Sequence, residues 1–369
     1  MAAQFPIPVS VITGFLGAGK TTLLNRLLKD PALVDTAVII NEFGDVGIDH
    51  LLVEQATDGV IELSDGCLCC TVRGELVDTL ADLVDRVQNG RIERLARVVI
   101  ETTGLADPAP VLQSIMGHPV LLQAFRLDGV ITLVDAVNGP DTLDAHIEAV
   151  KQVAVADRIV ITKADLVEDK ADLAALAERL KAINPGARQF AVDAVDSASL
   201  LACGLYDPTT KTADVQRWLG EEADHAHHRH DGHHHHDHDH GHDEHRHDAR
   251  VRSFSLTHAA PVPFSTISMF LDLLLSTHGD KVLRLKGIVE IAEDPARPLV
   301  VHGVQKILHP PARLPKWPDD VRGMRLVIIA VDLPEDYVRR TFAAFVNQPS
   351  IDTPDRAALE NNPLAIAGR

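Results

Sequence analysis

Nine residues near the start of the chain, Gly14-Phe15-Leu16-Gly17-Ala18-Gly19-Lys20-Thr21-Thr22, fit the pattern G-x-x-x-x-G-K-S/T, and their neighbours decide what that pattern can mean. Residues 8–13 (PVSVIT) read as a short buried strand. Residues 20–29 (KTTLLNRLLK) put Leu23, Leu24, Leu27 and Leu28 along a helix. Strand, glycine-rich turn and helix in that order make a phosphate-binding loop, not a chance lysine in a turn. Glycines let successive backbone N–H groups curl around an anion, and the positive helix end adds to the field. Lys20 is placed to bridge β- and γ-phosphates, and the Thr21 hydroxyl to ligate Mg²⁺. Gly14, Gly17, Ala18, Gly19, Lys20, Thr21 and Thr22 are the expected nucleotide contacts.

Composition narrows the partners. The chain has 369 residues, is 46% hydrophobic and carries a formal net charge of −18. That suffices for a large core shared by two domains, and it is the wrong sign for nucleic acid. No run of about 18 apolar residues occurs, so no membrane span is expected. The N-terminus enters the first strand without a secretory leader. Three of the four cysteines crowd together as Cys67, Cys69 and Cys70. That spacing is too tight for a disulfide framework; in a reducing cytoplasm, the expected location, it suits metal or thiol chemistry.

From residue 8 to about 205, runs rich in Val and Ile (37–40, 97–100, 130–134, 158–162, 188–192) alternate with helical stretches (74–88, 142–155, 170–183). Parallel strands covered on both faces read this way, so the expected fold is an α/β P-loop NTPase domain of three layers with a mostly parallel sheet. It should span residues 1–222. Residues 223–249 follow as a disordered linker with thirteen histidines between Asp224 and Asp248 and almost nothing apolar. A smaller C-terminal α+β domain is expected over 250–347, with strands at 252–256, 281–292, 299–306 and 324–331 and helices at 263–276 and 334–346. Without strict alternation its sheet should be mostly antiparallel. Residues 348–369 form a tail.

Two further stretches complete a nucleotide site. Glu101-Thr102-Thr103-Gly104 directly follows the 97–100 strand. An acid there holds Mg²⁺ in phosphate-binding-loop enzymes, and the Gly104 N–H can meet the γ-phosphate. Asp is the usual acid, so Glu101 is one carbon longer than expected. Thr162-Lys163-Ala164-Asp165 ends the 158–162 strand and is similar to the guanine-reading N/T-K-x-D motif. Asp165 can accept from guanine N1–H and N2–H₂, which adenine cannot match, and the stem of Lys163 can cover the base. Thr162 in place of Asn removes one amide contact. GTP is thus favoured over ATP, and Lys20, Glu101 and Gly104 are the candidate catalytic groups.

Cys67-Leu68-Cys69-Cys70 follows a strand at 59–63. Its thiolates can converge on one soft or borderline cation. The other reading, buried free cysteines packing as small hydrophobes, fits a cluster of three poorly. Glu42, in Asn41-Glu42-Phe43-Gly44 after the second strand, offers a fourth ligand from a loop placed like a nucleotide-sensing switch.

The stretches TGFLGAGKTTLLNRLL, VIINEFGDVGID, LSDGCLCC, VVIETTGLADP, DGVITLVDAV and ITKADL, with DKVLRLKG and VVHGVQ later, resemble the CobW-like GTPases, relatives of the UreG and HypB metal-insertion GTPases. The likeness runs over about residues 8–346, and ETTGLADP is closest to the general zinc-chaperone-like members. The resemblance implies a GTPase that binds a divalent metal, Zn²⁺ most often and otherwise Co²⁺ or Ni²⁺, and delivers it to client metalloenzymes. It also places His118, in MGHP, where some relatives carry a surface metal-binding histidine; a lone His before Pro is otherwise bland. The His-rich stretch reads as a metal-gathering buffer or as a plain spacer. A client metalloenzyme and, on nucleotide or metal, a second copy of the chain are the expected partners. Other readings are a metal-storage or sensing protein shaped by GTP, a cobalt-handling protein of the cobalamin pathway, and an ATP-dependent small-molecule enzyme.

Overall fold

The structure is a computed structural model that describes residues 6–30, 33–41, 60–63, 72–196, 200–201 and 250–346. Glu42, Cys67, Cys69, Cys70, the His-rich stretch and the tail lie outside the described residues.

Seven strands form the first sheet: β1 (Ile7–Gly14), β2 (Thr36–Asn41), β3 (Val60–Leu63), β4 (Arg97–Thr102), β5 (Phe125–Asp135), β6 (Arg158–Thr162) and β7 (Arg188–Ala191). Their order is β3-β2-β4-β1-β5-β6-β7, and every pairing is parallel. The Val/Ile runs make the sheet apolar on both sides, and helices cover both. On one side α1 (Lys20–Leu28) seats Leu23, Leu24, Leu27 and Leu28 on Ile12, Val99, Ile131 and Val160. On the other, α2 (Val72–Gln88) and α3 (Ala109–Gly117) pack Leu80, Leu83, Leu112 and Ile115 on Val9, Val11, Val98 and Ile100. Farther along that side, α5 (Gly139–Ala145), α6 (Ile147–Ala154) and α7 (Lys170–Ile183) cover Val134, Ile159 and Ile161.

Several expectations are corrected. The run at 130–134 belongs to an eleven-residue strand beginning at Phe125. Asp128 disguises its start, yet the carboxylate is buried against Arg97, whose Nη1 lies 3.0 Å away and also reaches the Leu201 carbonyl at 2.6 Å. The single helix expected at 142–155 is α5 and α6, broken at His146, which is extended and stacks its ring on Phe15 at 4.6 Å. The sequence reading omitted α3 and the short α4 (Leu121–Ala124). β7 is not covered on both faces: it is the sheet edge, with Arg188 over the Phe190 ring.

The second sheet holds β8 (Val251–His258), β9 (Val282–Ile291), β10 (Asp294–Val304), β11 (Ile307–Leu308), β12 (Ala312–Arg313) and β13 (Met324–Val331). Its order is β11-β10-β9-β13-β8, with β12 on β10, and all of its strand pairings are antiparallel, as expected. β10 begins before the expected 299; Pro295 and Pro298 fall in its register irregularity, where a missing N–H is tolerated. Helices Phe264–His278 and Glu335–Phe345 cover one face, with Phe270 edge-on to Phe342. Pro334 is the residue before the second helix and not part of its first turn.

The opposite face closes on the first domain. Val251, Leu283 and Ile329 join the core of α6 and α7, and Val304 joins that of α2 and α3. Between them Asp157 is buried with Arg284, 2.8 Å away, and Lys286. Removing one partner of such a buried set typically costs about 3–5 kcal/mol, because the remaining charge stays in low dielectric. Burial alone would raise the Asp157 carboxyl, but the two cations outweigh it and hold it well below the carboxylate range. Among the described residues no helix is long and apolar enough to cross a membrane.

Candidate functional site

Parallel strands deliver their C-terminal ends to one sheet edge, and three central strands, β1, β4 and β6, carry the sequence-predicted groups there. β1 ends in the glycine loop, β4 at Glu101 and Thr102, β5 at Asp135 and β6 at Thr162. Register places Ile12 beside Glu101 and Asp135 beside Thr162.

The loop is tight. Gly14 has φ 144, and a Cβ there would lie 2.5 Å from the Leu133 carbonyl oxygen; Gly17 and Gly19 have φ 74 and 90. Side chains rarely adopt these conformations. Ala18 N–H closes the turn on the Phe15 carbonyl at 3.1 Å. Lys20 is buried, with Nζ 3.3 Å from the same carbonyl. No side chain caps the start of α1, and its first turn has no acid, so its leading N–H groups remain suited to an anion.

Thr21 Oγ1 donates to Glu101 Oε1 at 2.9 Å, and Glu101 is only 2% exposed. The Glu101 carboxylate thus spans from β4 to α1. Next to it, Thr102 Oγ1 donates to Thr13 Oγ1 at 2.8 Å. Gly104 then lies against the phosphate loop: a Cβ there would fall 2.6 Å from Leu16 N and 2.8 Å from Leu16 Cα. Gln152, buried on α6, donates to the carbonyls of Gly104 and Ala106, each at 3.1 Å. Asp107 caps Ala109 N at 3.0 Å and takes Lys151 Nζ at 2.9 Å.

On the other flank the Thr162 hydroxyl donates to the Ala18 carbonyl at 2.9 Å, tying the β6 end to the glycine loop. Lys163 is left-handed at φ 56 and places Nζ 2.6 Å from Asp135. Asp135 also accepts from Val137 N at 2.8 Å and Asn138 Nδ2 at 3.0 Å. Burial would raise this carboxyl, but these hydrogen bonds together hold it below its ordinary value. Asp165 follows in a short 3₁₀ turn (Ala164–Leu166) with its carboxylate exposed. Sequence reasoning assigned no role to Asp135 or Gln152. For Asp135 the acid ending the DGVITLVDAV strand was a usable signal; nothing local marks Gln152.

Thr21 and Glu101 together offer hard oxygen donors, the set Mg²⁺ prefers. The thiolate candidates fall outside the described residues, but the strands leading to them do not. β2 ends at Asn41 and β3 at Leu63, with Ile39 paired to Leu63, so the two strands that precede Glu42 and the cysteine segment in sequence are neighbours and end at this same edge. Among the described residues no three His, Cys, Asp or Glu side chains come together to hold a metal, so His118, at the end of α3, gains no such set from them.

Residues 8–191 match the model of the CobW/HypB/UreG nucleotide-binding domain, and residues 251–346 that of the cobalamin synthesis protein cobW C-terminal domain. The chain is 37% identical over 343 residues to the zinc chaperone YjiA of Escherichia coli, covering 92% of this chain and 98% of that protein. It is 34% identical over 373 residues to the zinc chaperone CobW of Pseudomonas aeruginosa, covering 93% and 90%. The crystal structure of a Zn(II)-bound YjiA GTPase from E. coli superposes with a TM-score of 0.66 at 31% identity, over 93% of this chain and 99% of that one. Both domain models match in order, and full-length relatives align end to end: the chain belongs to the CobW/HypB/UreG family.

Proposed function

We propose that this protein is a GTP-hydrolysing metallochaperone that takes up a divalent metal, Zn²⁺ foremost, and hands it to client metalloproteins in the cytoplasm. The observation that carries the reading is the Thr21–Glu101 contact, which draws the phosphate loop and the β4 end into one site. Gly14 to Thr22 wrap the phosphates, Lys20 neutralises charge between β and γ, and the exposed Asp165 reads guanine beside Lys163. Mg²⁺ would be held through Thr21 and Glu101 and would supply positive charge to the phosphates. Gly104 N–H faces the terminal phosphate, so loss of that phosphate frees the Glu101–Asp107 loop and the loop bearing Glu42.

Zn²⁺ is the cargo, held by Cys67, Cys69, Cys70 and Glu42. Its choice is supported by the chaperones this chain resembles and by thiolate chemistry. Because one ligand lies beyond β2 and three beyond β3, a switch at this edge can change the metal geometry. The test is competitive Zn²⁺ titration against a chelating dye, in GDP and in a non-hydrolysable GTP analogue, with GTP turnover measured in parallel. Affinities differing by about 5- to 150-fold between the two states fit typical allosteric coupling. Equal affinities would leave a metal-binding protein that does not use the nucleotide to release its cargo, the storage reading. A site that takes Co²⁺ in strong preference to Zn²⁺ would favour the cobalamin-pathway reading.

A further inference from the structure

The loop after Glu101 is held at its far end by a residue of the other domain. Gln305 sits in the two-residue turn between β10 and β11. Its side-chain Oε1 accepts from Gln113 Nε2 at 2.8 Å, and its Nε2 donates to Asp107 Oδ2 at 3.4 Å. Asp107 is three residues beyond Gly104, whose carbonyl and that of Ala106 are already fixed by Gln152. The same turn is wedged into the first domain: Val304 is part of its core, and Ile307 packs over Gly117, where a Cβ would lie 3.4 Å from Ile307 Cγ2.

A second observation points to the side chain and not just to the turn. Gln305 has φ 51, a left-handed conformation that glycine adopts freely and glutamine does not. Strained backbone that carries a specific polar side chain marks a place where the side chain is used.

We propose that Gln305 is a positioning residue for GTP hydrolysis: it holds Asp107, and through it the 103–107 loop, so that Gly104 stays seated on Leu16 of the phosphate loop. The C-terminal domain thereby sets the hydrolysis rate without touching the nucleotide. The inference rests on the GTPase reading above.

The experiment uses the full chain. Gln305→Gly removes the amide while suiting the left-handed backbone, so its thermal midpoint should equal or exceed the parent's. Affinities for GDP and a GTP analogue should stay within two-fold, while kcat falls five-fold or more, since small misplacements in a reacting site cost rate and not binding. Ile307→Ala loosens the same turn without touching the amide, and its kcat should stay within two-fold of the parent. A Gln305→Gly kcat within two-fold of the parent overturns the proposal. So does an Ile307→Ala loss as large as that of Gln305→Gly, which would assign the effect to docking alone. A parent with no GTP turnover would instead defeat the GTPase reading, before the variants are compared.

Discussion

Thr162 and Ala18 are far apart in sequence, yet the threonine hydroxyl donates to the alanine carbonyl at 2.9 Å. Both residues are buried, so the bond joins the TKAD segment, proposed to read the base, to the glycine loop, proposed to wrap the phosphates. The Thr in place of the commoner Asn therefore keeps a structural tie within the site, whatever amide contact it gives up.

Thr162→Val preserves shape and deletes that donor. Leaving a buried carbonyl without its partner costs about 1–3 kcal/mol, so thermal or urea melts should show a loss of that order. Nucleotide affinity should fall as the two loops lose their tie. Stability within about 0.3 kcal/mol of the parent would show that the Ala18 carbonyl finds another donor.

Asp165→Asn tests base reading. Replacing an acceptor pair by one acceptor and one donor should weaken GTP binding and shift preference toward xanthine nucleotides, which offer an acceptor at position 2. The comparison is a titration with GTP, XTP and ATP. Unchanged GTP affinity would mean that guanine is read elsewhere.

Gly104→Ala places a methyl 2.6 Å from the Leu16 backbone nitrogen, closer than any real contact. The loop must lift off the phosphate loop, while Glu101 and the sheet stay as they are. Turnover should drop about 100-fold, the scale of a 1 Å misplacement, with the far-ultraviolet dichroism unchanged. Near-parental kcat would show that this close packing plays no part in hydrolysis.

Acid should loosen the domain interface. Burial pushes His302 down to about 3 from 6.5, the charge of Asp157 opposing only part of the shift, and burial lowers His309 as well. A depressed folded value means that the unfolded chain binds a proton the folded chain refuses. The contribution of His302 is thus complete above pH 6.5 and is lost as pH falls toward 3. Asp157, also depressed, adds a loss below its ordinary 3.8. The limiting slope is about 1.4 kcal/mol per pH unit for each proton. Urea melts between pH 7 and 4 should show it, and His302→Gln should flatten it; an identical slope in that variant would mean that other groups carry the acid response.

The phosphate loop, Glu101, Gly104 and the TKAD segment were legible because each is a short contiguous pattern at a strand end, where backbone direction already fixes the place. The strands were legible from their Val/Ile runs, except where a charge interrupted one: Asp128 hid the first five residues of the eleven in β5 because its partner Arg97 lies on another strand. The break at His146 depends on a ring stacked on Phe15, and the roles of Gln152 and Gln305 on partners from separate elements. Such pairings leave no local trace. The interface cluster of Asp157, Arg284 and Lys286 is the extreme case, since each charge alone reads as a surface residue.

The path of the chain between the domains has a last consequence. It leaves the described first domain at Leu201, whose carbonyl is held by Arg97 at 2.6 Å, and returns at Arg250, whose Nε is 3.1 Å from Asp332. Both anchors belong to domains already locked together by a shared core, so the union of the two domains rests on that core and not on the chain that connects them. Each doubling of such a loop costs only about 0.6 kcal/mol. Length and composition can therefore change between these two anchors at little cost to the interface that joins the domains.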